Sequence, residues 1–361
     1  MKVLVGMSGG VDSSVAAILL KEKGYEVIGA TMAIWGDRGI NEKLNTRKHG
    51  ACFGPEEKED IEEARKICSE IGIPFYVFDC AEHYEKIVLE KFREEYLNAH
   101  TPNPCIWCNS LVKFGVLPEL AKLNGINFDK FATGHYARVI EKNGRHLLLK
   151  GKDVSKDQSY FLYRLTQEQL SNAIFPLGEF KKEEVREIAR KHNLKVADKI
   201  ESQDFYAGDY NDLLNKEELV GNIVDKNGNI LGQHKGFWNY AIGQRKGLKI
   251  AADKPLYVIE LRKDTNEVVV GYIDDTMKET LIANDLNLIA INNINVFKNN
   301  YRCKAKIRST QKETEVTVDA ISDDRVKVTF DNLQKSIAVG QSIVFYEDDI
   351  VIGGGFINEV K

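Results

Sequence analysis

Two groups of residues in this chain have the types and spacing for chemistry: a glycine–serine string near its beginning, and six cysteines. The string Gly6-Met7-Ser8-Gly9-Gly10-Val11-Asp12-Ser13-Ser14 lies between an apolar run, Lys2–Gly6, and an amphipathic one, Ser13–Lys23. Glycines let a backbone turn tightly and bring its amides close to an anion. A helix starting there adds free N–H groups and the positive end of its dipole. The hydroxyls of Ser8, Ser13 and Ser14 can donate to phosphate oxygens, and Asp12 can hold Mg²⁺. No Gly-Lys-Ser/Thr follows, so this is not a Walker A loop, and a plain strand-to-helix turn is the alternative. The cysteines are Cys52, Cys68, Cys80, Cys105, Cys108 and Cys303. In a reducing compartment they serve as core residues, metal ligands or reactive thiols.

The elements that must position these groups change character along the chain. The first half alternates strand-like runs (Lys2–Gly6, Glu26–Thr31, Pro74–Asp79, Phe128–Thr133) with helical ones (Ser13–Lys23, Glu56–Gly72, Ala81–Asn98, Ser110–Leu123). Strands separated by helices imply parallel β-α-β units, and right-handed crossovers make a doubly wound sheet. Beyond about residue 195 short alternating segments take over, among them Leu256–Leu261, Glu267–Val270, Val326–Phe330 and Ile343–Tyr346. Turn signals at Asp225–Asn229, Asp264–Asn266 and Glu347–Asp349 separate or follow them. The expected organisation is an α/β domain over residues 1–200, a central β module over 201–278 and a C-terminal β-barrel over 279–361.

A chain of 361 residues with 43% hydrophobic and 29% charged residues is that of an ordinary globular protein with a sizeable core. No apolar run reaches the ~18 residues of a membrane span, and the opening residues read as a strand rather than a signal peptide. A cytoplasmic enzyme with no membrane partner is expected. The net charge of −4 neither advertises nor excludes nucleic acid. Locally, Arg302, Lys304, Lys306 and Arg308 occupy alternate positions with Cys303, Ala305 and Ile307 between them. On a strand that is a basic ladder facing outward, either a solvated face or an RNA contact. A second acid-free stretch runs from His234 to Ala252.

The glycine–serine string resembles the SGGxDS loop of the PP-loop ATP pyrophosphatases, which split ATP between its α and β phosphates. Further strings resemble one branch of that superfamily, the tRNA-specific 2-thiouridylases. They are Thr101-Pro102-Asn103-Pro104 leading to Cys108-Asn109, Ala132-Thr133-Gly134-His135-Tyr136-Ala137-Arg138, and Lys156-Asp157-Gln158-Ser159-Tyr160. Phe175-Pro176-Leu177-Gly178, Glu201-Ser202-Gln203-Asp204, Ile242-Gly243-Gln244-Arg245-Lys246-Gly247 and Gly340-Gln341 complete the set, in the family's order over nearly the full length. The resemblance implies ATP-dependent adenylation of the wobble uridine of tRNA at O2, then sulfur transfer to give 2-thiouridine. It implies ATP phosphates on Gly6, Met7, Ser8, Gly9, Gly10, Val11, Asp12 and Ser13, with Mg²⁺ on Asp12 and adenosine beside Met32 and Gly134. It also implies tRNA contacts from His135, Lys156, Asp157, Gln158, Arg308, Ser309 and Gln341, and an external sulfur donor.

The cysteines depart from the family pattern. Cys108 occupies the position of the family's nucleophile. The family's usual Asp before it is Cys105 here, and the position of its second, persulfide-carrying cysteine is held by Tyr206. Cys105 and Cys108 are spaced to share a helix face, near a helix start that lowers thiol pKa. Cys52 falls in a loop near the carboxyl ends of the strands. Three thiolates around an open cleft suit a [4Fe–4S] cluster with one iron free for sulfide. A Cys105/Cys108 persulfide pair and a zinc site are the alternatives. Cys68, Cys80 and Cys303 fall on apolar faces and read as core. Rival functions are sulfuration of a different tRNA uridine through that cluster, and a PP-loop synthetase acting on a small molecule.

Overall fold

In a computed structural model of the chain, residues 1–36, 51–198, 204–206 and 208–361 are described. The Glu201-Ser202-Gln203 part of one family string therefore lies outside the described residues. The chain divides into two units, the first made of Met1–Val88, Pro104–Asp209 and Asp348–Val351, the second of Leu89–Asn103, Tyr210–Glu347 and Ile352–Lys361.

Among the described residues of the first unit, the strands are β1 (Lys2–Gly6), β2 (Glu26–Ala33), β3 (Ala51–Phe53), β4 (Phe75–Asp79), β5 (Lys130–Ala132), β6 (Ala137–Lys142), β7 (Arg145–Lys150), β8 (Ala173–Ile174) and β9 (Asp204–Tyr206). Five form a parallel sheet in the order β4-β2-β1-β5-β8. Val3, Leu4 and Val5 of β1 are wholly buried, as expected of a central strand covered on both faces. This is the doubly wound sheet expected from the alternation of elements. After β1 the chain builds outward through β2 and β4, then returns to the other side of β1 with β5. That reversal makes the β1/β5 gap the topological switch point, where open α/β sheets bind ligands at the strands' carboxyl ends.

Three helices frame that gap: α1 (Val11–Glu22), α2 (Glu57–Ile71) and α3 (Lys182–Lys191). Val15 and Ile18 of α1, Ala64 and Ile67 of α2, and Val185 and Ala189 of α3 share one core with β1. The expected helix Ser110–Leu123 begins earlier, at Pro104, and its middle, Cys108–Val116, is wound as a π-helix. The expected helix Ala81–Asn98 is likewise interrupted by a π segment, Glu85–Leu89. Strands β6 and β7 form a hairpin that strand–helix alternation does not predict. Its turn, Asn143-Gly144, has both residues at positive φ, the two-residue geometry that suits the strand twist.

The second unit is mostly β. Strands β10 (Gly221–Val224), β11 (Ile230–His234), β12 (Tyr257–Arg262) and β13 (Glu267–Gly271) form a sheet in the order β11-β10-β13-β12. Strands β14 (Met277–Leu288), β15 (Tyr301–Lys306), β16 (Thr314–Ala320), β17 (Val326–Lys335), β18 (Ser342–Glu347) and β19 (Ile350–Val360) follow in the order β14-β17-β16-β15-β18-β19, and β14 also pairs with β19 to close a barrel. The helix Glu90–Leu97 packs Phe92 and Tyr96 against Tyr210, with ring centroids 5.4 and 6.0 Å apart. Among the described residues no helix is long and apolar enough to cross a membrane.

Candidate active site

The turn between β1 and α1 is built as the sequence predicts. Gly9 adopts φ +70°, and a Cβ there would lie 2.6 Å from the Asp60 carbonyl oxygen of α2. Ser13 Oγ receives the Ser8 N–H at 3.2 Å and lies 3.2 Å from Ser8 Oγ. Ser14 Oγ donates to the Gly10 carbonyl at 2.8 Å. The hydroxyls thus brace a loop whose helix begins at Val11 rather than Ser13, so Asp12 sits in the first turn of α1. Gly134, just beyond β5, closes the other side of the switch point. A Cβ at this position would lie 2.7 Å from both Asp12 C and Ser13 N. Met32 sits on β2, half-buried, opposite Phe78 of β4.

Asp12 has two partners that sequence reasoning missed. Lys182 Nζ, at the start of α3, lies 2.7 Å from Asp12 Oδ1, and the Tyr136 hydroxyl donates to the same oxygen at 2.9 Å. Tyr136 belongs to a family string, but nothing in the spacing of Lys182 marks it. The string Lys156-Asp157-Gln158 is turned inward for the most part. Asp157 accepts from the backbone N–H of Gly151 and Ser159 and from Ser159 Oγ. Gln158 Oε1 accepts from Tyr136 N, and Gln158 N donates to Tyr136 O. Their side chains therefore hold the segment beneath Asp12, and Lys156 remains half-buried at its edge. His135 shares a 2.8 Å hydrogen bond through Nδ1 with Thr133 Oγ1. Burial beside Phe114 and Phe175, with Lys113 adding to it, holds its pKa well below the ordinary value, so the ring is neutral near pH 7.

Cys105 and Cys108 are half-buried on the Pro104–Val116 helical stretch, and Cys52 is exposed on β3. The thiol pKa lowering expected from a helix start is not found for Cys108. Burial pushes it up to about 11, Lys113 opposes the rise, and charge on Cys52 adds to it. Desolvation outweighs the dipole because the π-wound segment carries Cys108 into the protein. Gln169 Nε2 donates to the carbonyls of Ser110 and Phe114 at 2.7 and 3.1 Å, holding that winding from outside. Cys68, Cys80 and Cys303 are buried, and burial pushes each thiol up to about 12. Among the described residues no group of three or more His, Cys, Asp or Glu side chains is placed to hold a metal ion. Cys52, Cys105 and Cys108 are therefore not assembled as ligands of an iron–sulfur cluster or a zinc ion.

The pairing of β3 with β9 bears on the missing cysteine. The two strands run parallel with Ala51 opposite Asp204 and Phe53 opposite Tyr206. Phe53 and Tyr206 are buried, with ring centroids 6.1 Å apart, while Cys52 between Ala51 and Phe53 faces outward. The strand that lacks the family's second thiol is thus bonded to one that carries a thiol.

In the second unit several family strings meet each other. Gln341 Nε2 donates to the carbonyls of Thr101 and Pro102 at 2.7 and 3.3 Å, and Thr101 N donates to Val339 O. Arg308 Nη2 donates to Ser336 O at 2.9 Å and to Ile242 O at 3.4 Å, fastening the Ile242–Gly247 string. Ser309 lies half-buried in the turn after β15. The basic ladder is only partly outward. Arg302 forks onto Asp331 with both contacts at 2.6 Å. Lys306, expected outward, is buried: its ammonium lies 3.9 Å from Glu313 and over the Tyr346 ring. Lys304 is exposed.

Residues 1–206 match the family model of the tRNA methyl transferase HUP domain, residues 211–272 that of the tRNA methyl transferase PRC-barrel domain, and residues 278–357 that of the aminomethyltransferase beta-barrel domain. The chain is 50% identical over 361 residues to a tRNA-specific 2-thiouridylase MnmA of Endomicrobium trichonymphae, covering 99% of each chain. It is 46% identical over 363 residues to tRNA-specific 2-thiouridylase MnmA 2 of Clostridium tetani, covering 99% of this chain and 98% of that one. A glycine–serine loop formed at the switch point of a doubly wound sheet, a closed β-barrel in the second unit and full-length identity of this degree give one answer: the chain belongs to the tRNA-specific 2-thiouridylase family.

Proposed function

We infer that this protein uses ATP to activate the wobble uridine of a tRNA and exchanges its C2 oxygen for sulfur, giving 2-thiouridine. The observation that carries the inference is the formed phosphate loop at the β1/β5 switch point in a chain that matches the family from end to end. In this reading the amides of Gly6–Ser13 hold the ATP phosphates, Met32 and Gly134 border the adenosine, and Asp12 with Mg²⁺ steadies the charge that develops at phosphorus. The uracil O2 attacks the α-phosphate. An O–P bond forms, pyrophosphate leaves, and C2 then carries AMP as a good leaving group. The base must first be splayed from the anticodon stack. Lys156, Lys304 and the neutral His135 are the tRNA-facing side chains, while Asp157, Gln158, Arg308 and Gln341 act by fixing the segments that carry them. The cytoplasm is the compartment in which such a substrate and reduced thiols coexist.

For the sulfur step the favoured pair is Cys52 and Cys108, because charge on one acts on the other and β3 lies beside the strand that lacks the usual cysteine. An external persulfide carrier transfers its outer sulfur to Cys52, which is exposed. The persulfide's outer sulfur attacks C2, forming the C–S bond as the C–O bond to AMP breaks. Cys108 thiolate then attacks the Cys52 sulfur, releasing 2-thiouridine and leaving a Cys52–Cys108 disulfide, which a thiol reductant opens for the next cycle. Cys105 stays one helical turn from Cys108.

The test is purified protein with tRNA, Mg²⁺-ATP and a persulfide donor, read for pyrophosphate and for 2-thiouridine by nucleoside mass spectrometry. The wild type releases pyrophosphate only with tRNA present. Ser13→Ala loses that release, and Cys52→Ser keeps it while losing 2-thiouridine. Pyrophosphate release indifferent to tRNA would overturn the activity; full thiolation by Cys52→Ser would overturn the thiol assignment alone.

A further inference from the structure

We propose that Lys182 is the phosphate-binding lysine of this site, parked on Asp12 until nucleotide arrives. Its backbone N–H is fixed at the start of α3 by Asp153 Oδ2 at 2.9 Å, and Asp153 Oδ1 is itself held by Ser155 N and Oγ. From that anchor the side chain runs inward, 7% exposed, over the face of Tyr136 to Asp12 Oδ1. Asp12 is the second residue of the helix whose N-terminus closes the phosphate loop. The ammonium therefore ends one hydrogen bond from the first turn of the helix that follows the Gly6–Ser13 loop.

Three features turn this ion pair into a binding device. The loop from Gly6 to Ser13 contains no basic residue, so its amides and helix dipole meet a triphosphate without a full positive charge of their own. A P-loop NTPase solves the same problem with a lysine inside its loop. Second, a buried lysine–carboxylate pair is a weak source of stability, since desolvating both charges offsets most of their attraction. Third, the partner carboxylate is the one expected to receive Mg²⁺, which arrives with the nucleotide. With Asp12 holding such a metal, the ammonium would turn to phosphate oxygens in the same place. No bond to Lys182 forms or breaks and it keeps its proton; it exchanges one anion for another. Its role is to bind the triphosphate and to stabilise departing pyrophosphate.

The proposal rests on the ATP reading above, and its test separates the two. Nucleotide binding is measured by calorimetry with Mg²⁺ and no tRNA, for ATP and for AMP, alongside thermal melting. Lys182→Met is expected to weaken ATP binding tenfold or more while AMP binding changes less than twofold. The neighbouring Lys181 is exposed, and Lys181→Met, with the same change of charge, leaves both constants as they are. Should Lys182→Met fold poorly because Asp12 is stranded, Asp12→Asn and the double variant Asp12→Asn/Lys182→Met are compared, and the added Lys182→Met is expected to cost a further tenfold in ATP binding with AMP binding unchanged. A wild-type ATP-to-AMP preference in a folded Lys182→Met, or ATP binding by the double variant equal to that of Asp12→Asn, would reduce the pair to a structural ion pair and overturn the proposal. A wild type that binds no ATP would overturn the ATP reading itself.

Discussion

The most informative single perturbation is the pH dependence of Cys108 alkylation. Burial pushes this thiol up to about 11, against an ordinary 9.0, with Lys113 opposing the rise and Cys52 adding to it. The thiolate is the reacting species, so at pH 8 about one Cys108 in a thousand is ionised, against about one in ten for an unshifted thiol. Cys108 should therefore react with iodoacetamide about a hundredfold more slowly than its accessibility alone allows. Access and ionisation are separated by the shape of the profile. The logarithm of the rate at Cys108, followed by peptide mass spectrometry from pH 7 to 10, should rise by one per pH unit without a plateau near 9.

Two variants sharpen this. Lys113→Met removes the charge that favours the thiolate, so the Cys108 profile moves to higher pH. Because the same ammonium depresses the His135 pKa, the His135 titration, followed by NMR, moves up as well. Cys52→Ser removes a like charge and moves the Cys108 profile down. A Cys108 rate that levels off at pH 9 or below, or a downward shift in Lys113→Met, would show that the π-wound segment does not bury the thiol as described.

Three further outcomes follow from the geometry. Gly134→Ala places a Cβ 2.7 Å from the backbone of Asp12 and Ser13, so it should cost about 1–3 kcal/mol in a denaturant melt and weaken ATP binding; Gly54→Ala, with nothing within 4 Å, should be neutral in stability. Gln341→Ala removes two hydrogen bonds to Thr101 and Pro102; about 1–2 kcal/mol of stability is lost, with ATP affinity unchanged by calorimetry. In salt titrations of tRNA binding, Lys304→Ala should lower the log–log slope by about 0.7–0.9, whereas Lys306→Met, whose ammonium faces Glu313, leaves the slope alone and lowers the melting temperature.

Local patterning was enough to read the doubly wound sheet and the phosphate loop. An apolar strand, a glycine turn and an amphipathic helix are consecutive in sequence, and their geometry is decided by neighbours a few residues away. The β-rich second half was legible from alternation and turn residues, although closure of a barrel by β14 and β19 depends on long-range pairing that no local pattern carries. Three features were not legible. The π winding at Cys108–Val116 leaves carbonyls that Gln169, some fifty residues away, takes up, and burial there reverses the expected thiol acidity. Lys306 obeys strand alternation in sequence, yet the Tyr346 ring and Glu313 bury it. Lys182 sits beside an identical neighbour, and only the entry of α3 toward Asp12 tells the two apart. The β6–β7 hairpin lay outside the strand–helix alternation read from the sequence, although its Asn143-Gly144 turn is a local hairpin signal.

These features share a consequence for the order of events. In the resting protein the charges of the site are cancelled from within: Lys182 lies on Asp12, burial keeps Cys108 protonated, and His135 is neutral. Folding stability responds accordingly. A thiol whose proton is held more tightly folded than unfolded contributes stability below its unfolded pKa of 9.0, and that contribution is lost as pH rises toward 11 for Cys108 and 12 for Cys68, Cys80 and Cys303. At neutral pH the same burial prevents Cys108 from acting as an indiscriminate nucleophile. Reactivity has to be supplied by the substrates. In the proposed cycle Mg²⁺-ATP would bring the cation and the anion that separate Lys182 from Asp12, and a persulfide, a stronger acid than its parent thiol, would ionise where a buried thiol does not. On that scheme Cys108 would lose its proton only when the Cys52–sulfur bond to the base is within reach and the departing 2-thiouridine can take that proton up. The proposed scheme thereby keeps adenylation and sulfur transfer apart by electrostatics, with each set of reacting groups silent until its own substrate is bound.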